Sequence, residues 1–482
     1  MQPVPPPVSL EGARERIRRA RTAAGRRTFV LDDDPTGSQS VHDVEVVTVL
    51  KKNTYESALE PAGATVFLLT NTRSLAETDA VAVNTEIGHE IFTIEQRLGE
   101  PVDLVSRSDS TLRGHVIAEV RALNAARRDV VGTGFDGVLL IPAYFEAGRI
   151  TEGDIHWARV DGELVPVGDT EFARDATFGY AASNLRDFVS EKSGGDIPAE
   201  DVLSISLRDI REGGPRRVAE ILGRASDCRF VVVNATDFAD LEIVVLGLQI
   251  AQGNGKVFLY RTGPSFVRAL LGMEPNNPLT AEDIWLDGRP PGHGLVVVGS
   301  HVGLTGRQLE AAVAQGGMEE VELAVPRLLD DADRDAHIEA TVAQVTRALA
   351  STDVILYTSR TLQRGTDAED SLKIARTVST AVTEVVRSAL DAHPAWVIAK
   401  GGITSHDVAV RGLGIRRARV LGQLLPGMVS VLSPEEAPAA VVGMPYVVFA
   451  GNVGDDDSLA AAIALFRGTG GPTVDEKLAG AR

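Results

Sequence analysis

The chain has 482 residues, which exceeds one ordinary hydrophobic core and suggests two large domains. Its hydrophobic content of 44% and its charged content of 24% are those of a soluble globular protein. The formal net charge of -19 argues against nucleic acid or an anionic membrane surface as a partner, and an anionic ligand would need a locally positive pocket.

The N-terminal segment and the cysteine content favour a cytoplasmic protein. Residues 1–27 are rich in arginine and lack the apolar segment of a secretory signal. No window of the chain approaches the roughly 18 apolar residues of a membrane helix. Cys228 is the only cysteine, so no intramolecular disulfide can form, as expected in a reducing compartment.

Short β-branched segments alternate with amphipathic segments along nearly the whole chain. The short segments are almost continuously apolar, which is typical of a parallel sheet covered on both faces. The longer ones have helical periodicity, as where Val116, Val120 and Leu123 share one helix face. The predicted strands cover 28–31, 44–50, 65–70, 102–106, 137–142, 230–234, 256–260, 295–300, 354–359, 396–400 and 446–451. The predicted fold is therefore α/β, with two domains that are each a mainly parallel sheet flanked by helices, and with a ligand cleft between them.

A segment without periodicity separates the two series of predicted strands. Residues 273–293 are rich in proline, glycine and asparagine, a composition typical of a linker. The sequence therefore predicts an N-terminal domain over 1–272 and a C-terminal domain over 294–482.

The first polar cluster, DDDPTGSQS, follows the strand predicted over 28–31. Asp-Pro-x-Gly is good turn chemistry, so a plain turn is one interpretation. The other is a binding site, because ligands lie at the carboxyl ends of strands in open α/β sheets. There Asp33 and Asp34 would bind substrate hydroxyls, hold Mg²⁺ through water or accept a proton from an attacking hydroxyl, with Thr36 and Gly37 beside them.

The second cluster, SRSDSTLRGH, follows the strand predicted over 102–106 and precedes a helix. Arg107 and Arg113 supply forked donors suited to a carboxylate, and the start of the helix adds backbone N–H groups. Asp109 and the neighbouring serines would match sugar hydroxyls. Four residues are of the types that cap helices, and one of them is expected to do so: Ser108, Asp109, Ser110 and Thr111.

A third cluster follows the strand predicted over 137–142. Glu146, Gly148 and Arg149 again combine an acid, a flexible backbone position and a base, and we expect Arg149 to contact the substrate. The nearby TEFARD segment (170–175) is polar with an apolar interior, and a structural loop is an equally good interpretation of it.

The strands of the C-terminal domain end in glycine rather than in charged residues. VVVGSHVGLTGRQ, VIAKGGITSHD and VVFAGNVGDDDS each place glycine at a strand-to-helix turn, where the backbone can approach a phosphate closely. Together the three turns favour a nucleotide site. None matches the P-loop or G-x-G-x-x-G, which disfavours a Walker NTPase and a standard dinucleotide fold. The histidines are scattered and form no metal-ligand pattern, so the sequence does not identify which residues would bind a metal ion.

The motifs DDDPTG, SRSDSTLRGH, FEAGR with TEFARD, GS…T, GGITS and GNVG, in that order, resemble those of the four-carbon acid sugar kinases. The resemblance covers nearly the whole chain. It implies an N-terminal domain that binds a sugar acid of the threonate, erythronate or 3-oxo-tetronate type, and a C-terminal domain that binds ATP with Mg²⁺. The expected partners are these small molecules, without nucleic acid or membrane, and a homo-oligomer is compatible with the sequence.

The resemblance also implies roles for individual residues. On the sugar-acid side it carries over Asp33, Asp34, Thr36, Gly37, Asp109, Ser110, Thr111 and Arg113. On the ATP side it carries over Ser300, Gly401, Gly402, Ile403, Thr404 and Gly451. The sequence departs from the family where Ile403 replaces an acid, where Val302 replaces a frequent serine and where no lysine precedes Gly451. The positive charge near the phosphates is then expected from Lys400 or Arg261.

The expected reaction is phosphoryl transfer to a hydroxyl of the sugar acid, with Asp34 or Asp33 orienting that hydroxyl and accepting its proton. Two alternatives stay open. A sugar-acid dehydrogenase lacks its dinucleotide fingerprint here, and a sugar-acid sensor with a degenerate nucleotide site is compatible with Ile403 and Val302.

Overall fold

The computed structural model describes residues 4–468 except 35–40, 161, 276, 286–287, 289–291, 362, 364, 367 and 426–427. The chain divides into two compact units, unit 1 (Met1–Pro275) and unit 2 (Asn276–Arg482). The division falls within the proline- and glycine-rich segment that the sequence suggests as a linker.

Unit 1 is built on a parallel sheet whose strands lie, within the described residues, in the order β2-β3-β1-β4-β11-β5-β10-β9. A separate antiparallel sheet has the order β6-β7-β8. The strands are β1 (Arg27–Asp32), β2 (Glu45–Val47), β3 (Thr65–Leu69), β4 (Val102–Arg107), β5 (Gly137–Ile141), β6 (Arg149–Glu152), β7 (Ile155–Val160), β8 (Glu163–Pro166), β9 (Leu203–Ile205), β10 (Arg229–Val233) and β11 (Phe258–Thr262).

Helices connect the strands of unit 1 and cover its sheet. The helices are α1 (Ala13–Ala23), α2 (Lys52–Leu59), α3 (Glu77–Leu98), α4 (Val116–Val131), α5 (Leu185–Lys192), α6 (Leu207–Arg211), α7 (Gly214–Leu222), α8 (Phe238–Gly253) and α9 (Pro264–Leu271). Side chains of α2, α3 and α4 form a buried core with apolar residues of β1, β3 and β4, among them Phe29, Leu68 and Leu104. Burial of both sheet faces explains why these strands read as continuous apolar runs.

Unit 2 has a mixed sheet with the strand order β13-β14-β12-β15-β18-β17-β16, parallel as far as β18 and antiparallel beyond it. Its strands are β12 (Gly294–Val298), β13 (Met318–Leu323), β14 (Asp353–Thr358), β15 (Trp396–Lys400), β16 (Arg417–Leu425), β17 (Val429–Glu436) and β18 (Tyr446–Phe449). Its helices are α10 (Ala281–Ile284), α11 (Gly303–Ala314), α12 (Val325–Leu328), α13 (Arg334–Leu349), α14 (Ala368–Ala389), α15 (Gly402–Asp407) and α16 (Ser458–Arg467).

The predicted α/β fold with mainly parallel sheets is confirmed, and a strand occupies each segment predicted as one. The sequence analysis missed the small sheet over β6–β8, the edge strands β9 and β13, and the hairpin of β16 and β17. Within the described ranges, no helix combines the length and the apolar character needed to cross a bilayer.

A buried charge cluster at the amino end of β4 fixes α1 to the sheet of unit 1. Asp103 is 3% exposed and accepts hydrogen bonds from Arg21 Nη1 at 3.1 Å and Arg26 Nη1 at 2.9 Å. Gln252 Nε2 also donates to it at 2.9 Å. Removal of one partner from such a cluster leaves an uncompensated buried charge, which is strongly destabilising.

We expect Asp103→Asn to lower the free energy of unfolding of unit 1 by roughly 3–5 kcal/mol, because Arg21 loses its buried counter-charge. Urea titration would measure this loss. Glu15→Gln is the matched control, since Glu15 forms an exposed pair with Arg19 on α1 and should cost less than about 0.5 kcal/mol. Equal effects of the two substitutions would contradict the account.

Candidate functional site

The carboxyl end of β1 is the topological switch point of unit 1. The chain passes from β1 to β2 and β3 on one side and then returns to β4 on the other side. Ligands of open α/β sheets bind at such a position, outside the carboxyl ends of the strands. Asp32, Asp33 and Asp34 stand there, beside Arg107 at the end of β4.

Asp32 and Arg107 form a buried pair that supports this end of the sheet. Arg107 Nη1 donates to Asp32 Oδ1 at 3.0 Å, and the two residues are adjacent in the β1–β4 register. Burial raises the pKa of the Asp32 carboxyl to about 6, although Arg107 acts to lower it. The sequence predicts that Arg107 contacts the substrate. Because its guanidinium donates to Asp32, we propose instead that Arg107 stabilises the end of the sheet on which the site lies.

Asp33 is the buried acid of the site. It is 3% exposed, and neither carboxylate oxygen has a hydrogen-bond partner among the residues that the structure describes. Arg73 Nη1 lies 3.9 Å from Oδ1 and Arg261 Nη2 lies 3.9 Å from Oδ2. Burial raises the pKa of the Asp33 carboxyl to about 7, and the two guanidinium groups limit that rise. A buried carboxylate with unused acceptor capacity is suited to bind a hydroxyl and to take its proton.

Arg73 lies among three acids, and the sequence analysis did not identify it. It belongs to the short 3₁₀ helix that follows β3, and it pairs with Asp34 through Nη2. Its Nη1 lies 3.8 Å from Asp109 Oδ1 as well as near Asp33. Although burial acts against its charge, Asp34, Asp33 and Asp109 raise the pKa of Arg73, so it stays cationic.

Asp109 is held by residues of its own loop. Arg113 Nε donates to Asp109 Oδ2 at 2.7 Å, and the Thr111 hydroxyl donates to the same oxygen. Burial would raise the pKa of Asp109, but Arg73, Arg113 and these hydrogen bonds lower it below its usual value. Asp109 is therefore a stable anion that fixes the position of Arg113.

The predicted helix cap in this loop is wrong. α4 begins at Val116, and His115 occupies the N-cap position without a side-chain hydrogen bond to the helix. Leu112 and Gly114 have φ values of +67° and +123°, so a tight turn separates the polar residues from the helix start. Asp109 and Thr111 consequently bond to each other rather than to the first N–H groups of the helix.

Arg113 and Arg149 approach the same aromatic ring. The guanidinium carbons lie 5.4 Å and 5.7 Å, respectively, from the centroid of Phe172, which belongs to the TEFARD segment. Arg149 Nε has no partner within the described residues, and burial lowers the pKa of its guanidinium. Two guanidinium groups beside one aromatic ring have a chemistry suited to a carboxylate. Phe172 therefore places the TEFARD segment next to both arginines.

Two buried polar side chains form hydrogen bonds with the backbone carbonyls of Ser110 and Thr111. The ring nitrogen Nε2 of His156 lies 2.7 Å from the Ser110 carbonyl oxygen, and the Tyr180 hydroxyl donates to the Thr111 carbonyl at 2.6 Å. Burial lowers the pKa of His156 to about 4, so this imidazole is neutral near pH 7 and donates to Ser110. Thr36 and Gly37 lie outside the described residues.

The glycine turns of unit 2 meet at the carboxyl ends of β12, β15 and β18. Gly401 has φ +125°, and a Cβ there would lie 3.0 Å from Thr404 Oγ1 and 3.1 Å from Ser300 Cβ. A Cβ on Gly451 would lie 2.6 Å from Ser300 Oγ. Thr305 Oγ1 donates to the Gly451 carbonyl at 2.8 Å and thereby joins α11 to the turn after β18. Sequence-distant residues Ser300, Gly401, Thr404 and Gly451 therefore belong to one cluster.

This cluster has the features of a phosphate-binding site. It lies at the switch point between β12 and β15, from which the chain runs in opposite directions, and the twelve-residue helix α11 begins beside it. Backbone N–H groups at such turns and helix starts bind anions. Ile403 is 68% exposed on the first turn of α15, next to Gly402, and contributes an apolar surface rather than a charge.

Lys400 and Arg261, expected to supply positive charge near these turns, each have another partner in the structure. Lys400 is buried at the end of β15, where Nζ donates to the Ala450 carbonyl at 2.6 Å and lies 3.9 Å from the Phe449 ring centroid. Burial lowers the pKa of Lys400 to about 7. Arg261 belongs to β11 of unit 1, where its Nη2 lies 3.9 Å from Asp33 Oδ2.

The described residues do not identify a metal centre. They contain no group of three or more histidine, cysteine, aspartate or glutamate side chains placed to hold a metal ion. Mg²⁺ that accompanies a nucleotide is usually bound by phosphates and water with one or two carboxylates. The described residues therefore fit such an ion only as part of a nucleotide complex, and no residue is assigned to it.

Both units match families of known domains. Residues 28–270 match the family described as a sugar-binding N-terminal domain, and residues 295–459 match the nucleotide-binding C-terminal domain. D-threonate kinase of Salmonella typhimurium is 29% identical over 264 residues, which span 54% of this chain and 55% of that enzyme. The chain thus matches about half the length of this curated relative.

Two solved structures share the fold over most of the chain. A Salmonella typhimurium LT2 protein crystallised under the description of a tRNA synthase has 17% sequence identity and a TM-score of 0.66, over 90% of this chain and 98% of that one. A Haemophilus influenzae protein from a family of unknown function has 18% identity and a TM-score of 0.62, over 91% of this chain and 100% of the other. At these identities the likeness concerns the fold alone.

Proposed function

Because the chain belongs to the four-carbon acid sugar kinase family, we propose that it transfers the γ-phosphoryl group of ATP to a hydroxyl of a four-carbon sugar acid. Threonate, erythronate and 3-oxo-tetronate are the acceptor types to consider. The observation that carries the proposal is that each unit contains a site, and that the two sites differ in chemistry. Unit 1 offers arginines around a buried acid, and unit 2 offers closely packed glycine turns.

Arg113 and Arg149 are the proposed ligands of the substrate carboxylate. Both present guanidinium groups to one region around Phe172, and Arg113 is oriented by Asp109. Forked donors match a carboxylate in geometry and charge, which explains how a chain with a net charge of -19 could bind an anion. The Ser110–Thr111 segment, whose backbone carbonyls accept hydrogen bonds from His156 and Tyr180, is the proposed contact for substrate hydroxyls.

Asp33 is the proposed proton acceptor. Asp34 is already paired with Arg73, whereas the Asp33 oxygens have no hydrogen-bond partner within the described part of the chain. A pKa of about 7 suits a general base at neutral pH, since a useful fraction is ionised and the proton affinity is high. Asp33 would hold the attacking hydroxyl and take its proton as the new O–P bond forms.

The glycine turns of unit 2 are the proposed support for the ATP phosphates. Gly401 and Gly451 pack closely against Ser300 and Thr404, so their turns bring backbone N–H groups and the Ser300 hydroxyl into one cluster. Phosphoryl transfer depends mainly on placement and on compensation of negative charge. When bound, Mg²⁺ would supply further compensation of the phosphate charge.

A coupled assay of ADP release tests the proposed function. Purified full-length protein with ATP and Mg²⁺ would be offered D- and L-threonate, D- and L-erythronate and 3-oxo-tetronates, with five-carbon acids as matched controls. We expect ADP release that depends on a four-carbon acid and saturates with it. Binding of a sugar acid without turnover would favour a sensor, and NAD reduction would favour a dehydrogenase.

A further inference from the structure

Glu119 is a buried acid outside every motif that the sequence singled out. It lies on the first turns of α4 and is 2% exposed. Its Oε1 accepts from the Thr72 hydroxyl at 2.6 Å and from Asn84 Nδ2 at 3.4 Å, while Arg261 Nη1 donates to Oε2. Burial of a carboxylate is costly, so its two oxygens and their partners must be placed accurately.

The partners of Glu119 lead to both sides of Asp33. Arg261, held by Glu119 through Nη1, directs Nη2 toward Asp33 Oδ2 at 3.9 Å. Thr72, held through its hydroxyl, precedes Arg73, whose Nη1 faces Asp33 Oδ1 at 3.9 Å. The Glu119 carboxylate is thus linked to both guanidinium groups, Arg73 and Arg261, that face the two oxygens of Asp33.

The residue Gly114, just before α4, packs against both Asp33 and Arg261. A Cβ on Gly114 would lie 3.1 Å from Asp33 Oδ2 and 3.1 Å from Arg261 Nη2. Gly114 lies two residues before the helix that carries Glu119, so a shift of this helix would alter the surroundings of both Asp33 and Arg261. Ser106 Oγ, which accepts from Arg261 Nη1 at 2.7 Å, completes the support of that guanidinium.

We propose that Glu119 is a positioning residue that sets the two guanidinium groups facing Asp33, Arg261 by direct pairing and Arg73 through Thr72. The inference rests on the proposed function in taking Asp33 as the base of a sugar acid kinase. Glu119 itself touches no reacting atom. Its effect would be to fix the geometry and the proton affinity of Asp33.

The charged groups around Asp33 come from five elements. Arg73 follows β3, Arg107 lies on β4 and Arg261 lies on β11, and these three favour the ionised form; Glu119 on α4 and Asp32 on β1 oppose it. Loss of the Glu119 charge should therefore lower the pKa of Asp33. Loosening of Arg73 should raise it, because an opposite charge then moves away.

Two substitutions separate the charge of Glu119 from its hydrogen-bonded link to the segment of Arg73. Glu119→Gln removes the charge but keeps an oxygen that can accept a hydrogen bond from Arg261, so its main effect on Asp33 is the loss of a nearby negative charge. Thr72→Val keeps the shape but removes the hydroxyl that links the segment of Arg73 to Glu119. Asp103→Asn is the matched control: it disturbs a buried acid of the same unit at the opposite end of the sheet, where Asp103 pairs with Thr28 in the register.

The experiment is a pH titration of the Asp33 carboxyl by ¹³C NMR of the full-length protein labelled at aspartate, with the resonance assigned by its absence in Asp33→Asn. We expect the Asp33 pKa to shift to lower pH in Glu119→Gln and to higher pH in Thr72→Val, with no shift in Asp103→Asn. The acid limb of kcat/KM should move in the same directions, and kcat at its plateau should fall about 10-fold or more in the first two variants.

Unchanged titrations in both variants, or an Asp33 pKa that does not rise in Thr72→Val, would overturn the positioning role of Glu119. The NMR titration needs no turnover, so this failure is distinct from failure of the proposed function. Opposite shifts in a protein that phosphorylates no sugar acid would refute the kinase proposal and leave the positioning role intact. Normal turnover of a sugar acid with unshifted titrations would do the reverse.

Discussion

Replacement of Asp33 by asparagine is expected to lower kcat for phosphorylation of the sugar acid by about 10²–10⁴-fold, the usual contribution of a positioned general base. Asparagine is nearly isosteric but cannot accept the proton of the attacking hydroxyl. The acid is nearly fully buried and its oxygens have no hydrogen-bond partner in the described part of the chain. ATP affinity should stay near its normal value, because the proposed phosphate contacts belong to unit 2.

The pH dependence gives this prediction a second readout. Only the ionised carboxylate can accept a proton, so kcat/KM of the wild-type protein for the sugar acid should rise with pH. It should reach half its plateau near pH 7, because kcat/KM reports the free protein, in which burial raises the pKa of Asp33 to about 7. Asp33→Asn should lack this limb. Steady-state kinetics between pH 5 and pH 9 with saturating ATP would measure both effects.

Asp34→Asn is the natural comparison. Asp34 is paired with Arg73 and is more exposed than Asp33, so we expect its replacement to lower kcat less than the replacement of Asp33 does. If Asp34→Asn instead abolished turnover and Asp33→Asn retained it, the base would be Asp34, and the assignment made from the hydrogen-bond pattern would be wrong.

Replacement of Gly401 by alanine is expected to weaken ATP binding about 10-fold or more, because backbone strain of this kind costs on the order of 1–3 kcal/mol. Gly401 adopts φ +125°, which L side chains rarely adopt. The new methyl group would also press on Thr404 Oγ1 and Ser300 Cβ, and relief of that contact would displace the turn that faces the phosphates.

Isothermal titration with a non-hydrolysable ATP analogue would measure this loss, and titration with the sugar acid would show unchanged binding to unit 1. Gly306→Ala is the matched control, since Gly306 lies in α11 of the same unit with open space at its Cβ position. Normal nucleotide affinity in Gly401→Ala would argue against the glycine turns as the phosphate site.

Much of the fold could be read from the sequence because most strands are buried on both faces. Such strands are short apolar runs with β-branched residues, and this signal does not depend on their neighbours. The hairpin of β16 and β17 lacks it, since Gly422 interrupts one strand and Pro434 the other, and its pairing is irregular at these places.

The small sheet of β6–β8 had a signal that was overlooked. Gly153 and Asp154 both have positive φ, as in the two-residue turns that connect tight hairpins. Gly-Asp between ITE and IHW is a known sequence pattern for such a turn. The neighbouring Glu146 and Arg149 give the same stretch a polar character that is equally typical of a binding loop.

The polar ends of β1 and β4 could be predicted as a site, because the carboxyl-end rule uses only the order of strand and loop. Arg73 follows β3, so the same rule applied to the NTRS segment would have found it. The role of Glu119 could not be predicted from the sequence, because no local sequence pattern relates a helical glutamate to Arg261 and Thr72. That coupling exists only because β3 and β11 lie on either side of β1 and β4 in the folded sheet.

The most direct test of the central claim is to follow the reaction by ³¹P NMR with ATP, Mg²⁺ and each four-carbon sugar acid. The account predicts that a phosphomonoester resonance of the sugar acid grows in step with ADP in the wild-type protein and is lost in Asp33→Asn. Release of inorganic phosphate at the same rate with and without a sugar acid, or no consumption of ATP with any of them, would contradict it.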